Sequence, residues 1–484
     1  MSQAILDLTT NLLGLPISAG ILANGLDELA MDVQYFARGL HRRERRAITI
    51  AELAAAPTRR IAIMVPAWQE ADVIERMLEH NRRSLDYDPA WFEMYCGTYQ
   101  NDLATQDRVA AVAQHDAGVH KIVIPHDGPT SKADCLNWVY HGIAVDEHRS
   151  GRRFDILVMH DAEDVIHPLA LRLYSLLIPD YEFVQTPVLS LPLGTRQLVA
   201  ATYIDEFVEH HLKDMLVREA MGGLVPSAGV GSAFARDAFD DIASVHGQQP
   251  FNIESLTEDY EIGLRFRLAG KRVHFACRSL QRVRMVPRRW LGGERRVVDE
   301  EIIATREYFP SGFRASVRQR ARWITGIALQ AWRQIGWQGP AAVRYCLWRD
   351  RKAVATNSLL VGAYLLFAVT AARLALTSAE MASIVVPRTA VWWLMAVNLV
   401  LLVWRAGMKM RMVGRQYGLG HALASAPRLI VANLIGLAAT IRAIRQYLVH
   451  AATGNPLRWY KTAHEYPTFD LSTELPDDAQ RRAS

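Results

Sequence analysis

Cysteine is scarce: four residues in 484, Cys96, Cys135, Cys277 and Cys346, with no CxxC or Cys/His ligand spacing among them. Their scatter excludes a disulfide-framed scaffold and a zinc site, and suits reduced thiols facing a cytoplasm. A basic n-region and a small-residue cleavage site are both missing from residues 1–30, so no cleaved signal peptide is expected. Residues 4–30 instead suggest a short membrane-inserted or interfacial helix ahead of the bases of 38–46. Excess charge is small as well, at +5 overall. The surplus bases lie beside apolar segments in the C-terminal half, which points to an anionic membrane surface and not to nucleic acid.

What is present is a strand that ends in acid. Ile156–Met159 is apolar and runs straight into His160-Asp161-Ala162-Glu163-Asp164. A buried parallel strand opening into a ligand crevice reads this way. Such closely spaced acids repel one another and lose hydration unless a cation sits among them. A hard divalent ion, Mg²⁺ or Mn²⁺, suits oxygen ligands of this kind and can bridge them to a diphosphate. A solvated acidic turn before a helix near Pro168 fits these residues equally well when they are taken alone.

Upstream, Arg59–Pro66 is a buried-strand pattern, followed by Ala67-Trp68-Gln69-Glu70 and a helix over 71–81. Pro66, Ala67 and Glu70 would border a first βα crevice able to take a nucleotide base. Phe92–Gly97, Val119–Ile124 and Tyr181–Pro187 read as further strands. Turn chemistry over Pro125–Thr130 leads into a helix that Ser131 can cap, with Lys132 and Asp134 in its first turn. This alternation predicts a doubly wound α/β sheet with ligands at the strand C-termini. Gly229-Val230-Gly231-Ser232 lets backbone approach a ligand, but it lacks the first-strand position and the ribose acid of a dinucleotide fold, which is excluded.

Thr257-Glu258-Asp259 opens a helix, where a plain capped N-terminus is the alternative to chemistry. Further on, Gln319, Arg322 and Trp323 fall at i, i+3 and i+4, on one helix face. That face could floor a sugar or phosphate site, or anchor a basic helix at an interface. Asn357–Ala372 and Val391–Trp404 contain no acid or base, and their basic flanks predict an in-out-in membrane hairpin. Were Leu429–Thr440 to span, it would place Arg442–Lys461 outside, so an interfacial or re-entrant helix with a cytoplasmic C-terminus is expected. Residues after Thr468 are polar and acidic and are expected to be disordered. The resulting map is a membrane-associated segment 1–58, a catalytic domain 59–345, membrane and interfacial helices 346–450 and a tail 451–484.

In this order the motifs resemble those of the membrane-bound, processive-type family-2 glycosyltransferases. The matching stretches are Val65–Glu70, Asp102, Lys132, Asp161–Asp164, Thr257–Asp259 and Gln319–Trp323, then the membrane hairpin and Asn455–Thr462. The wording of 97–102, 160–168, 306–310 and 318–327 is most similar to the bacteriophage adsorption protein B group. The resemblance implies a GT-A fold, a Rossmann-like doubly wound mixed α/β sheet, followed by transmembrane helices. It also implies inverting transfer from a nucleotide-sugar donor, a UDP-sugar favoured, to a growing glycan at the bacterial inner membrane, with the catalytic domain cytoplasmic.

By the same resemblance, Pro66, Ala67, Glu70 and Asp102 would hold the nucleoside, and Lys132 and Asp134 would stand near the diphosphate. Asp161 and Glu163 would hold the metal, with Asp164 a rival for the second place. Asp259 would be the general base, with Glu258 beside it. Gly229, Gly231, Gln319, Arg322 and Trp323 would form the acceptor side. The loop at 97–102 departs from the family's acid pair and weakens the placing of Asp102. Two or three spans are few for a polysaccharide pore, so an oligomer, an envelope export partner or a lipid acceptor is expected. The rival readings are transfer of one sugar to a polyprenyl phosphate, and a catalytically silent membrane scaffold.

Overall fold

A computed structural model describes residues 3–42, 47–287, 294–376, 389–455, 457 and 465–467. Seven strands make the central sheet: β1 (Ile61–Pro66), β2 (Phe92–Tyr99), β3 (Val119–Ile124), β4 (Ile156–Met159), β5 (Phe183–Gln185), β6 (Ser232–Ala235) and β7 (Val273–Phe275). Their spatial order is β3-β2-β1-β4-β6-β5-β7. β1 reads as an unbroken apolar run because both of its faces are dry. Ile61, Ile63 and Val65 share a core with Met77, Leu78 and Leu171, whereas Ala62 and Met64 share one with Leu136, Val139 and Phe266.

β1 to β4 run parallel, so Pro66, Tyr99, Ile124 and Met159 end at one edge of the sheet. β6 is antiparallel to β4, which brings the glycines before Ser232 to the same edge. A short parallel pair, Thr305–Glu307 beside Val188–Ser190, is tied to the acid loop by a bridge between Val165 and Arg306. The strand expected over 181–187 therefore divides at Pro187, which has no N–H for a ladder. The helix expected over 71–81 forms as Ile74–Ser84.

After α1 (Gln3–Ala37), three helices bear on the site: α2 (Lys132–Ser150), α3 (Glu258–Leu268) and α4 (Phe313–Trp323). Three more follow: α5 (Ala353–Leu376), α6 (Thr389–Tyr417) and α7 (Leu419–Thr453). Residues 4–30 thus belong to one 35-residue helix and not to a short one. α1 packs on α5 and α6, with Gly20 against Leu359 and Gly25 against Leu401. Among the described residues, two helices are long and apolar enough to cross a membrane, Trp393–Tyr417 and Leu419–Thr453. Leu429–Thr440 lies inside the unbroken 35-residue α7, so a re-entrant break does not form there. The turn of the expected hairpin, most of Asn455–Thr462 and the tail after Thr468 lie outside the described residues.

Where the helices meet the sheet domain, the acids of α1 find bases from elsewhere. Lys213 Nζ lies 2.6 Å from Asp32, Arg349 lies 3.1 Å from Glu28, and Arg349 and Lys352 both reach Asp27. Lys409 of α6 sits 3.0 Å from Glu209. Arg428 of α7 is fully buried and forks onto both oxygens of Asp205. At the other end of the chain, Tyr466 is buried in the same core as Ala162 and Ile166, its ring edge-on to His80.

Candidate active site

A cleft with room for about 1100 Å³, its solvent-open mouth included, lies at the C-terminal edge of the sheet. Pro66, Ala67, Glu70, Lys132, Asp161, Glu163, Glu258, Asp259, Gln319, Arg322 and Trp323 all line it. Five separate chain segments therefore converge where the parallel strands end. Asp102, Asp134, Gly229 and Gly231 stand behind that lining.

At the end of β1, Ala67 N–H donates to Gly97 O at 2.8 Å, fixing the turn. Gln69 has φ +54, and Asp102 holds it there by accepting its N–H. The other oxygen of Asp102 caps the helix Leu103–Ala113 through Thr105 N–H at 3.3 Å. Glu70 N–H donates to Thr105 Oγ1 at 2.9 Å. Both Asp102 oxygens are engaged by backbone, so its visible contribution is to shape the loop carrying Glu70. Asp134 similarly faces Thr130 Oγ1 at 2.7 Å and His126 at 3.3 Å.

The acid loop divides its three acids between two jobs. Asp164 is fully buried beneath the loop: its Oδ2 lies 2.7 Å from His160 Nδ1 and accepts Asp161 N–H at 3.0 Å. Burial raises its pKa, opposed by the hydrogen bond from His160. Asp164 is a strut of the loop, leaving Asp161 and Glu163 as the two that reach the cleft. Lys132, at the start of α2 behind its Ser131 cap, lies 2.5 Å from Asp161. Burial disfavours its charge, but Asp161, Glu258 and Asp259 outweigh that and hold its pKa above the ordinary lysine value.

Across the cleft, Thr257 makes no side-chain cap, so the acids after it are not a solvated helix start. Glu258 and Asp259 line the cleft instead. Burial, reinforced by Asp259 and opposed by Lys132 and Arg322, pushes Glu258 up to about 7. Burial also raises Asp259, against the pull of Lys132. Asp259 Oδ1 accepts Tyr260 N–H at 2.7 Å, and a Cβ built on Gly229 would lie 2.7 Å from Oδ2. Gly229, at φ +79, thus keeps one carboxylate oxygen clear.

A further wall of the cleft is α4. Gln319, Arg322 and Trp323 face the cleft, while Arg320 points away, pairing with Glu206 and lying 4.7 Å over the ring of Tyr203. Among the described residues, Gln319 Oε1 is buried without a hydrogen-bond partner. Sequence reasoning missed Glu307, Phe207 and Phe309, which also line the cleft. Phe207 and Phe309 stand 4.6 Å apart between centroids, beside Trp323. Burial and the carboxylates of Asp164, Glu163 and Asp161 raise Glu307 well above the usual range. The 306–310 wording held the only signal for Glu307 and Phe309. A separate ligand-type cluster, Glu93, His120 and Asp146, lies near the N-terminal ends of β2 and β3, away from the cleft, with Tyr95 hydroxyl 2.7 Å from Asp146.

A family model described as "Glycosyltransferase like family 2" matches residues 57–326. Bacteriophage adsorption protein B of Escherichia coli K12 and Bacteriophage N4 adsorption protein B of Escherichia coli O157:H7 are each 37% identical to the chain over 484 residues. The match covers 96% of this chain but only 64% of each curated relative's length. Among solved structures, a mannosyltransferase, PcManGT, from Pyrobaculum calidifontis in complex with GDP-Man and Mn²⁺ aligns at TM-score 0.50 and 14% identity. That alignment covers 88% of this chain and 99% of the other, a likeness of fold.

Proposed function

Because the chain belongs to the glycosyltransferase-like family 2 and has its GT-A fold, we propose that it moves a sugar from a nucleotide-sugar donor to a glycan hydroxyl, with inversion, at the bacterial inner membrane. The observation that carries this reading is the placing of Lys132–Asp161 and Glu258–Asp259 in one cleft. Cation-neutralised leaving-group chemistry and a buried base then act on the two sides of one anomeric carbon.

Asp259 takes the proton of the acceptor hydroxyl as its oxygen bonds to the anomeric carbon. The bond to the diphosphate oxygen breaks, and its electron pair leaves with the nucleoside diphosphate. Lys132 and Arg322 counter the charge that develops there. Gln319, with its buried unpartnered Oε1, accepts from a hydroxyl of the acceptor. Glu258, near half-protonated at neutral pH, is a proton-holding neighbour of the base and not a second base. Pro66, Ala67 and Glu70 border the nucleoside, a UDP-sugar being favoured, and Asp102 and Asp134 act from behind.

The donor set fits a hard divalent ion. Asp161, Glu163 and Glu307 bring carboxylate oxygens to one cleft, and burial together with the neighbouring carboxylates raises Glu307. Asp161 and Glu163 would hold Mg²⁺ or Mn²⁺, which would neutralise the diphosphate. The apolar wall of Phe207 and Phe309 favours, as a second reading, transfer of one sugar to a polyprenyl phosphate. The relatives' name, adsorption protein, fits a product or export partner at the cell envelope.

The test is nucleoside-diphosphate release by purified protein from a panel of UDP- and GDP-sugars with Mg²⁺ or Mn²⁺. Asp259→Asn should bind donor as before and lose at least a hundredfold in turnover. Unchanged turnover in that variant would reject the reading. Product that stops at one sugar and requires lipid would select the second.

A further inference from the structure

We propose that α7 does not cross the bilayer but lies along its surface, with the sheet domain on one side of the helix and lipid on the other. Length and composition alone would let it span, so the argument rests on its ends, its middle and its two faces.

Both ends return to the sheet domain. Just before α7, Tyr417 hydroxyl donates to Ser190 O at 2.6 Å, and His421 Nε2 then donates to Leu193 O at 2.9 Å. Beyond its C-terminal end, Tyr466 is buried in the core that holds the acid loop. Only twelve residues separate Thr453 from Tyr466. A helix needs about 20 residues to re-cross a bilayer, and an extended strand would leave its amides unpaired in hydrocarbon. The two ends of α7 therefore share one side of the membrane.

The middle stays attached too. Ala439 and Ala443 pack on Ala321 of α4, and Asn357 Nδ2 donates to Thr440 Oγ1 at 2.8 Å. From His421 to Ala443 the axis runs roughly 33 Å, at about 1.5 Å per residue, and protein meets it at both ends of that length. The faces then separate cleanly. His421, Ser425, Arg428, Ile435, Ala439 and Ala443 form the buried stripe. On the opposite stripe, Leu419, Leu423, Ile430, Leu434, Ile441 and Leu448 are 46–73% exposed.

A soluble surface helix has the reverse order, apolar inward and polar outward. Here Arg428 and the small residues Ser425, Ala439 and Ala443 face protein beside Ile435, and six large apolar residues face outward. α6 also exposes large apolar residues, such as Leu399, Val400 and Val403. Arg445 lies exposed along the outward stripe of α7, suited to anionic headgroups. Lipid is the occupant that fits. Since α4 packs on the inner side of α7, Gln319, Arg322 and Trp323 sit about one helix, roughly 10 Å, from the bilayer. Reading that distance as an acceptor delivered at the membrane rests on the proposed function; the orientation of α7 does not.

The native cysteines are all buried, so single nitroxide labels can be read on the full chain. Leu423→Cys, Leu434→Cys and Ile441→Cys would be labelled in phosphatidylethanolamine–phosphatidylglycerol vesicles, and depth measured from oxygen against nickel-chelate accessibility. The expected result is one shallow depth for all three, within about 10 Å of the headgroups, with Val400→Cys on α6 deeper. A depth that changes steadily along the helix, with Leu434→Cys at the mid-plane, would overturn the proposal. Water exposure at all three, or shielding from both lipid and water as by a protein partner, would also overturn it. Independently, Thr453→Cys and Arg149→Cys should react with an impermeant maleimide from the same side. Opposite sides would refute the arrangement whatever the donor or product proves to be.

Discussion

Two neighbouring glycines separate stability from chemistry. Gly229 and Gly231 have φ +79 and +60, so alanine at either costs about 1–2 kcal/mol of backbone strain. What the new methyl meets differs. At 231 it would lie 2.5 Å from Thr186 Oγ1 and 2.6 Å from Thr305 Oγ1, and not against the proposed base. At 229 it would lie 2.7 Å from Asp259 Oδ2 and 3.2 Å from Asp259 Cβ. To reach ordinary contact the carboxylate must retreat by roughly 0.7 Å, and because Oδ1 is held by Tyr260 N–H, it must turn as it moves. A base displaced by about 1 Å can cost about a hundredfold. Gly229→Ala should therefore lose ten- to a hundredfold in kcat, measured as nucleoside-diphosphate release under the wild-type's best donor. Gly231→Ala should lose similar thermal stability and stay within about threefold in kcat. Equal rates in Gly229→Ala and wild type, or equal losses in the two variants at matched stability, would refute the placing of Asp259.

Other consequences are smaller but as direct. The folded Glu258 carboxyl, at about 7, sits above its unfolded value near 4.5. Its contribution to stability is whole below pH 4.5 and is lost as pH rises through 7, so Glu258→Gln should be the more stable protein at pH 8, by on the order of 1–3 kcal/mol, and indistinguishable at pH 4. Thermal unfolding at the two pH values decides it. Arg428→Met strands Asp205 in the interior and should cost about 3–5 kcal/mol in denaturant unfolding, much of it recovered by adding Asp205→Asn. Asp102→Ala removes a helix cap and the hold on Gln69. It should cost about 1–2 kcal/mol and raise donor KM more than it lowers kcat; a kcat effect alone would argue against a loop-shaping role.

The sheet was legible because its central strands are buried on both faces, which forces unbroken apolar runs such as Ile61–Val65 and Ile156–Met159. The acid loop, Lys132 and the three α4 residues were legible for a related reason: each follows directly on an element with a clear period. Residue type did not reveal role. Asp161, Glu163 and Asp164 look alike in sequence, and only the buried contact with His160 marks Asp164 as the strut. Asp102 has the chemistry of a ligand but spends both oxygens on backbone. Beyond the wording of 306–310, nothing pointed to Glu307, Phe309 or Phe207, because the strand that ends at Glu307 arrives by pairing with Val188–Ser190, a contact between segments remote in sequence. Thr257 carried a capping signal that tertiary burial overrode.

The charge junction at the foot of α1 also bears on how the chain is made. Asp32 waits 181 residues for Lys213, and Glu28 waits 321 for Arg349. At synthesis rates of about 5–20 residues per second, that is roughly 9–36 s without Lys213 and roughly 16–64 s without Arg349. Through that interval Asp27, Glu28 and Asp32 must stay hydrated, so α1 can dock as it does in the finished fold only after Lys213 and Arg349 have been made. A helix made early is placed late. A ribosome stalled before Arg349 is made should leave α1 open to proteolysis, whereas the released chain protects it.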